Sequence, residues 1–299
     1  MKRILVRGPN WIGDHVMAFP FYRGLRRLYP KAHITLTSNV KANEIDFRAW
    51  DEFVPFAALY NAQFDLGITL PASISSAFFL FRLGVPIRVG FAEFGANLFL
   101  TDSLRWIGRE SGKHKSELYG DLLRWLGGEP EFAALTTRNE APTKRKILVA
   151  PQASLALREW PHFPELVRAL NDRFPFDTVT LVGPSTDSVT QYERLGARFE
   201  NYFGRTSVTE LCALIRSADL VIANDSGVAH LAGHFGTPVV VLYGPGDPRY
   251  IRPAGNRVIT IRDTDLPCSP CEKSYCRAPY GYQRCLRNLS VDEVLRAIQ

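Results

Sequence analysis

Leu220-Val221-Ile222-Ala223-Asn224-Asp225-Ser226-Gly227-Val228-Ala229-His230 is the stretch on which the reading of this chain turns. The apolar run over residues 220–223 reads as a buried strand, an apolar helix is expected over residues 228–235, and four small or polar residues join them. Backbone N–H groups at such a helix start point outward, and the helix dipole makes the spot favourable for a diphosphate. Asp225 would repel a phosphate it pointed at, so its expected work is to hold the loop or bond a sugar hydroxyl, beside Ser226 and Gly227. His230, one turn into the helix, reaches the same ligand on this reading; a neutral core histidine is the bland alternative.

The same rhythm extends in both directions. Strand-like runs at residues 4–6, 33–37 and 65–70 alternate with helical segments, and residues 117–126 read as an amphipathic helix with Leu118, Leu122, Leu123 and Leu126 on one face. A polar, unpatterned stretch around Glu140-Ala141-Pro142-Thr143 sets a domain boundary between residues 142 and 143. Beyond it come a strand at 147–150, a helix near 163–174, and further strands at 179–182 and 239–243. Such alternation predicts an α/β protein with parallel sheets covered by helices, its ligands at the carboxyl ends of the strands. The closing helix at 291–298 is allowed to pack back on the first domain.

Composition sets the outer limits. A chain of 299 residues with 46% hydrophobic residues, 22% charged residues and 19 Phe can fill two cores. The net charge of +6 is spread over both halves without a basic tail. That argues against nucleic acid as a partner and suits a phosphorylated substrate or an anionic membrane surface. Ile4-Leu5-Val6 between basic residues is a strand and not a signal peptide, and the apolar stretch at 77–83 is broken by Arg82. The protein is therefore expected in the cytoplasm, at most peripheral on the inner face of the cytoplasmic membrane.

Three further turns at strand ends carry side chains with chemistry. In Gly8-Pro9-Asn10-Trp11-Ile12-Gly13-Asp14, Gly13 lets backbone approach a ligand and Asp14 can act as general base toward a hydroxyl; a plain helix cap is the alternative. Ala150-Pro151-Gln152-Ala153-Ser154 leads to Arg158, and a hydroxyl and a guanidinium four residues apart beside a helix start suit phosphate. Tyr243-Gly244-Pro245-Gly246-Asp247-Pro248 reads as a shaped loop around Gly246. Neither G-x-G-x-x-G nor G-x-x-x-x-G-K-[ST] follows a strand, which argues against ordinary dinucleotide enzymes and P-loop kinases.

These four elements, in this order and spacing, resemble glycosyltransferase family 9, the ADP-heptose:lipopolysaccharide heptosyltransferases, over nearly the whole chain. Asn10-Trp11-Ile12-Gly13-Asp14 looks like the heptosyltransferase II branch, and Asn224 through Ala232 is similar to the family signature. The resemblance implies a GT-B fold, two Rossmann-like domains with parallel sheets facing across a cleft: an acceptor domain at 1–142 and a nucleotide-sugar domain at 143–299. It implies an inverting, metal-independent transfer of heptose from an ADP-sugar to the inner core of lipopolysaccharide. Asp14 would be the base, and the donor would be contacted by Ser154, Arg158, Asp225, Ser226, Gly227 and His230. The family usually carries lysine where Arg158 stands and threonine where Gly246 stands. Those departures keep two other readings open, a transferase for another nucleotide-sugar and a nucleotide-sugar-binding protein without turnover.

Cys212 lies in an apolar helix and reads as core, whereas Cys268, Cys271, Cys276 and Cys285 crowd into eighteen residues. Reduced thiols or a structural metal are the expectations for that cluster; its spacing does not match a common zinc ribbon. No cofactor is expected for the reaction itself.

Overall fold

The computed structural model describes residues 2–39, 42–45, 49–59, 63–93, 95–132, 144–186, 189–279 and 281–298. Its contacts divide the chain into two compact units, Met1–Ala134 and Leu135–Gln299. The boundary read from the sequence, between 142 and 143, lies outside the described residues.

The first unit runs β1 (Arg3–Arg7), α1 (Ile12–Met17), α2 (Phe19–Leu28), β2 (His33–Thr37), β3 (Glu52–Phe53), β4 (Leu66–Thr69), α3 (Ile74–Arg82), β5 (Ile87–Ala92), β6 (Asp102–Arg105) and α4 (Lys115–Trp125). Its sheet has the order β3-β2-β1-β4-β5-β6 with every pair parallel. The second runs β7 (Lys146–Ala150), α5 (Phe163–Arg173), β8 (Thr178–Gly183), α6 (Val189–Arg194), β9 (Glu200–Phe203), α7 (Val208–Ser217), β10 (Leu220–Asn224), α8 (Gly227–His234), β11 (Val239–Tyr243), α9 (Pro248–Ile251), β12 (Val258–Arg262), α10 (Arg284–Arg287) and α11 (Val291–Ala297). Its order, β12-β11-β10-β7-β8-β9, repeats the first topology, again all parallel. In each sheet the strand order reverses at one place, between β1 and β4 and between β7 and β10. The loops leaving the carboxyl ends of those two strands diverge there and open a crevice for ligand.

The central strands β1, β4, β7, β10 and β11 are buried on both faces, which is why they read as unbroken apolar runs without alternation. Trp160, Phe163, Tyr192 and Phe203 fill the second core between sheet and helices. On the closing helix α11 Val294 and Leu295, with Ile298 just beyond it, join that second core. A Ser290–Glu293 capping box starts the helix. A helix with one apolar stripe buries it against the nearest uncovered apolar surface, and α5 supplies that surface.

Beneath the β1–α1 turn the first unit carries buried polarity. His15 is fully buried, its Nδ1 2.9 Å from the Tyr22 hydroxyl. Gly8 passes so close that a Cβ there would lie 2.5 Å from His15 Cε1, so the position tolerates only glycine. Burial, the largest cause, pulls the His15 pKa from 6.5 to about 4. The folded protein therefore keeps the ring neutral while the unfolded chain takes up a proton below about pH 6.5. Stability from this site is complete above that value and falls as pH drops toward 4. We expect the loss between pH 7 and 5 to be about 2 kcal/mol, an order-of-magnitude figure from the linkage of one pKa unit to ~1.4 kcal/mol. Urea titrations of the protein and of His15→Gln at both pH values measure it; equal pH dependence in the two proteins would exclude His15 as its source.

Candidate active site

Asp14 is not a helix cap. The N-cap of α1 is Trp11, and Asp14 is the third helical residue. Its carboxylate instead reaches Lys115, Oδ1 to Nζ 2.7 Å, with both side chains about one-fifth exposed. The pair stands in an open cavity of about 590 Å³ at the reversal point of the first sheet, walled by the β1–α1 turn, by Leu70 to Ser75 after β4, and by Glu93, Trp106, Lys115 and Tyr119. Gly13 is buried in the first turn behind Asp14.

The turn is held from below by Arg7, which is only 6% exposed. Its guanidinium donates to the Gly8 carbonyl and to Asn10 Oδ1, the latter at 2.6 Å, and lies 4.7 Å from the Phe56 ring centre. Burial lowers its pKa to about 10, so it stays charged at neutral pH. A buried cation on two loop oxygens fixes where the turn can run. Neither Arg7 nor Lys115 was singled out from the sequence. Arg7 ends an apolar strand, where a charged residue signals a loop edge as readily as a site, and Lys115 stands 101 residues from its partner.

At the reversal point of the second sheet the structure brings together Arg158, Asp225, Ser226, Gly227, His230 and Gly246. Arg158 Nη1 lies 3.1 Å from Asp225 Oδ2, and Asp225 is 4% exposed. Ser226 is the N-cap of α8 and Gly227 its first residue, one position earlier than read from the sequence. The carboxylate thus pairs with a cation instead of facing a phosphate. Two donors remain without partners among the described groups, Arg158 Nε and Ser226 Oγ. His230 is buried one turn along α8. Ser154 lies on the same loop as Arg158 but is exposed.

Two amides shape this loop, and neither was picked from the sequence. Asn224, fully buried, accepts from Trp160 N at 3.0 Å and donates to the Pro151 carbonyl at 2.7 Å, tying the end of β10 to the loop after β7. Gln283, in the left-handed region at φ 57°, directs Nε2 to the carbonyls of Ala156, Leu157 and Glu159 at 3.0, 3.1 and 2.8 Å. Gly246 has a different reason to be glycine from that of a flexible turn. A Cβ there would lie 2.5 Å from Asp225 Oδ2.

Of the two states expected for the four clustered cysteines, the structure shows free thiols and gives a structural metal no support. Cys268, Cys271, Cys276 and Cys285 are free thiols lining a cavity of about 230 Å³ with Leu157, Pro245 and Tyr275. Among the described residues no group of three or more His, Cys, Asp or Glu side chains is disposed to hold a metal ion. Burial and then the neighbouring thiols push Cys285 up to about 11, which keeps the free thiol protonated at neutral pH.

The profile of glycosyltransferase family 9 (heptosyltransferase) matches residues 56–280, and the chain belongs to that family. It is a glycosyltransferase. Lipooligosaccharide heptosyltransferase 2 of Haemophilus ducreyi is 25% identical over 99% of this chain and 98% of that protein. Lipopolysaccharide heptosyltransferase 2 of Escherichia coli is 26% identical over 87% of this chain and 88% of its own length. The solved structure of Escherichia coli ADP-heptose LPS heptosyltransferase II superposes with a TM-score of 0.78 at 24% identity, covering 100% of this chain and 97% of the other. The fold is thus the GT-B type of two Rossmann-like units.

Gly246→Ala tests the packing of the second half-site. Its methyl group must displace the Asp225 carboxylate and with it the pair to Arg158, so we expect a loss of roughly 1–3 kcal/mol, the usual cost of overpacking. Denaturant midpoints measure this; a variant as stable as the parent would show that Asp225 is not held against residue 246.

Proposed function

We propose that this enzyme transfers heptose from ADP-heptose to an inner-core sugar of lipopolysaccharide by a single inverting displacement. The observation behind the proposal is the complementary chemistry of the two sheet edges: a carboxylate in an open cavity at one, a cation and unpartnered donors beside a helix start at the other. Relatives covering most of the chain are heptosyltransferases 2, and the structural neighbour is described as using ADP-heptose.

On this reading the diphosphate rests on the start of α8, receiving Arg158 Nε, Ser226 Oγ and backbone N–H groups, with Ser154, Gly227 and His230 around the donor. The glycosidic carbon–oxygen bond to the diphosphate breaks as the acceptor oxygen attacks the opposite face of the anomeric carbon. Asp14 takes the acceptor's hydroxyl proton, and the electron pair of the broken bond leaves on ADP. Preorganised donors stabilise that growing charge without reorganising, and Arg158 supplies the fixed positive charge, so the displacement calls for no metal. Arg158 pairs with Asp225 and yet keeps Nε for the ligand, which favours a working phosphate site over a merely retained fold.

The acceptor is lipid-linked, and the proposal extends to a membrane surface. Ser73 and Ser75, beside the Asp14 cavity, belong to the start of α3, whose Phe78 and Phe81 are 39% and 49% exposed and flank Phe99. Among the described residues no helix is long and apolar enough to cross a membrane. Aromatic faces of this kind bind interfacially, and a positive net charge favours anionic lipid. Changing Phe78 and Phe81 together to Asp is expected to abolish sedimentation with phosphatidylglycerol vesicles; undiminished sedimentation would remove α3 as the contact.

The chemical proposal is tested by incubating purified protein with ADP-heptose and a heptose-terminated core acceptor. ADP release is expected, and Asp14→Asn should lower it at least 100-fold, the usual worth of a general base, while calorimetry shows donor binding intact. An active Asp14→Asn variant overturns the base assignment. Calorimetry with a panel of nucleotide-sugars identifies the donor, and tighter binding of a non-ADP sugar would replace heptose in the proposal.

A further inference from the structure

Lys115 stands at the first position of α4, directly after the N-cap His114, whose Nδ1 accepts from Ser116 N at 3.2 Å. The positive end of a helix dipole is an unfavourable place for a cation. Local helix energetics therefore do not account for this lysine, and its ammonium points instead to Asp14 on another helix, 101 residues away. The wall behind it is stiff: Tyr119, one turn on, is 3% exposed and lies 6.0 Å from Trp106, which in turn stacks edge-on against Phe91 at 4.8 Å. The ammonium is thus carried to a fixed address on a flexible stem.

Asp14 in this arrangement is a base with one oxygen occupied. A charge-assisted hydrogen bond of 2.7 Å occupies lone-pair density on Oδ1. Among the described residues that line the cavity, Lys115 is the one cation, against the carboxylates of Asp14 and Glu93. A neutral sugar entering the cavity would leave the ammonium on Asp14. An anionic one would compete for it, because an ammonium has three rotatable donors and forms equally good bonds to carboxylate or phosphate.

We infer that Lys115 is the receptor for an anionic substituent on the acceptor sugar, carboxylate or phosphate, and that it keeps Asp14 paired until that substituent arrives. The inference rests on the proposed role of Asp14 as base. Binding of the acceptor's anion shifts the ammonium away from Oδ1, so that oxygen is open to the hydroxyl at the moment the hydroxyl is beside it. Water reaching the cavity without acceptor meets a carboxylate whose Oδ1 is already occupied, and ADP-sugar is not wasted. The lysine is a positioning residue: it acts on the reaction through Asp14 and through the placement of the acceptor.

The test uses the full-length parent, Lys115→Met, which keeps an apolar stem without charge, and Lys115→Arg. Each receives a soluble core oligosaccharide in three forms: intact, carboxyl-reduced and phosphatase-treated. Calorimetry reads acceptor binding, and ADP release is followed with each form and with no acceptor. For the parent, removing one of the two kinds of anion is expected to weaken binding about tenfold, the effect of one lost charged hydrogen bond, and which arm does so identifies the anion. Lys115→Met should bind the intact form about tenfold more weakly, with KM affected more than kcat. It should lose nothing further on the anion-stripped form, and should release ADP several-fold faster without acceptor. Lys115→Arg should keep the discrimination. A purely structural lysine would instead weaken all three forms alike, and that result overturns the inference, as does a Lys115→Met variant that still discriminates like the parent. If the parent binds the intact acceptor and discriminates but releases no ADP, the anion receptor stands, and the transfer reading and the pairing of a base fall.

Discussion

A fully buried asparagine side chain holds the second half-site in shape. Asn224 ends β10, and its two amide atoms pair with the backbone of the loop leaving β7 at Pro151 and Trp160. At a reversal point the loops after two neighbouring strands part company, and their backbone groups lose the sheet partners that satisfied them lower down. Left buried and unpaired, each such group costs roughly 1–3 kcal/mol. One amide supplies a donor and an acceptor to the same loop and so removes that cost while fixing the distance between Arg158 and Asp225. Gln283 does the corresponding work from the outer side with three carbonyls. A loop whose Ser154 faces solvent is thereby kept in one conformation from beneath.

The first unit has the same topology and meets the same geometric problem with charge. Arg7 neutralises the carbonyl dipoles of the β1–α1 turn from below, and Lys115 meets Asp14 from the side. The difference fits the work proposed for each edge. A diphosphate cradle performs best when its dipoles do not move, because the favourable field is then present before charge develops. A base must change partners during the reaction, and an ammonium on a four-carbon stem can follow such a change where a buried amide cannot.

Elements and fold class were legible because they are written locally. The apolar runs at 220–223 and 147–150 became β10 and β7, and the Ser226-Gly227 turn starts α8 within one residue of its expected place. Arg158, Asp225 and Gly246 were chosen one by one, and the structure brings them into contact. Lys115, Asn224 and Gln283 were missed because their partners lie 101, 73 and 127 residues away in sequence at the widest, and no periodicity encodes such a contact. The cysteine cluster was only half legible, for the opposite reason. Close spacing along the chain raises the chance that thiols share a region, but it does not make them converge on one point, and these four line a wall.

Arg158 and Gly246 meet through one side chain, the carboxylate of Asp225. A guanidinium is wider than an ammonium and needs a carboxylate that stands off to one side. Asp225 can stand there because residue 246 has no Cβ: its Oδ2 occupies space that a Cβ would enter at 2.5 Å. Joined, Arg158 and Asp225 keep one positive and one negative charge at the edge, with the cation's Nε still uncommitted.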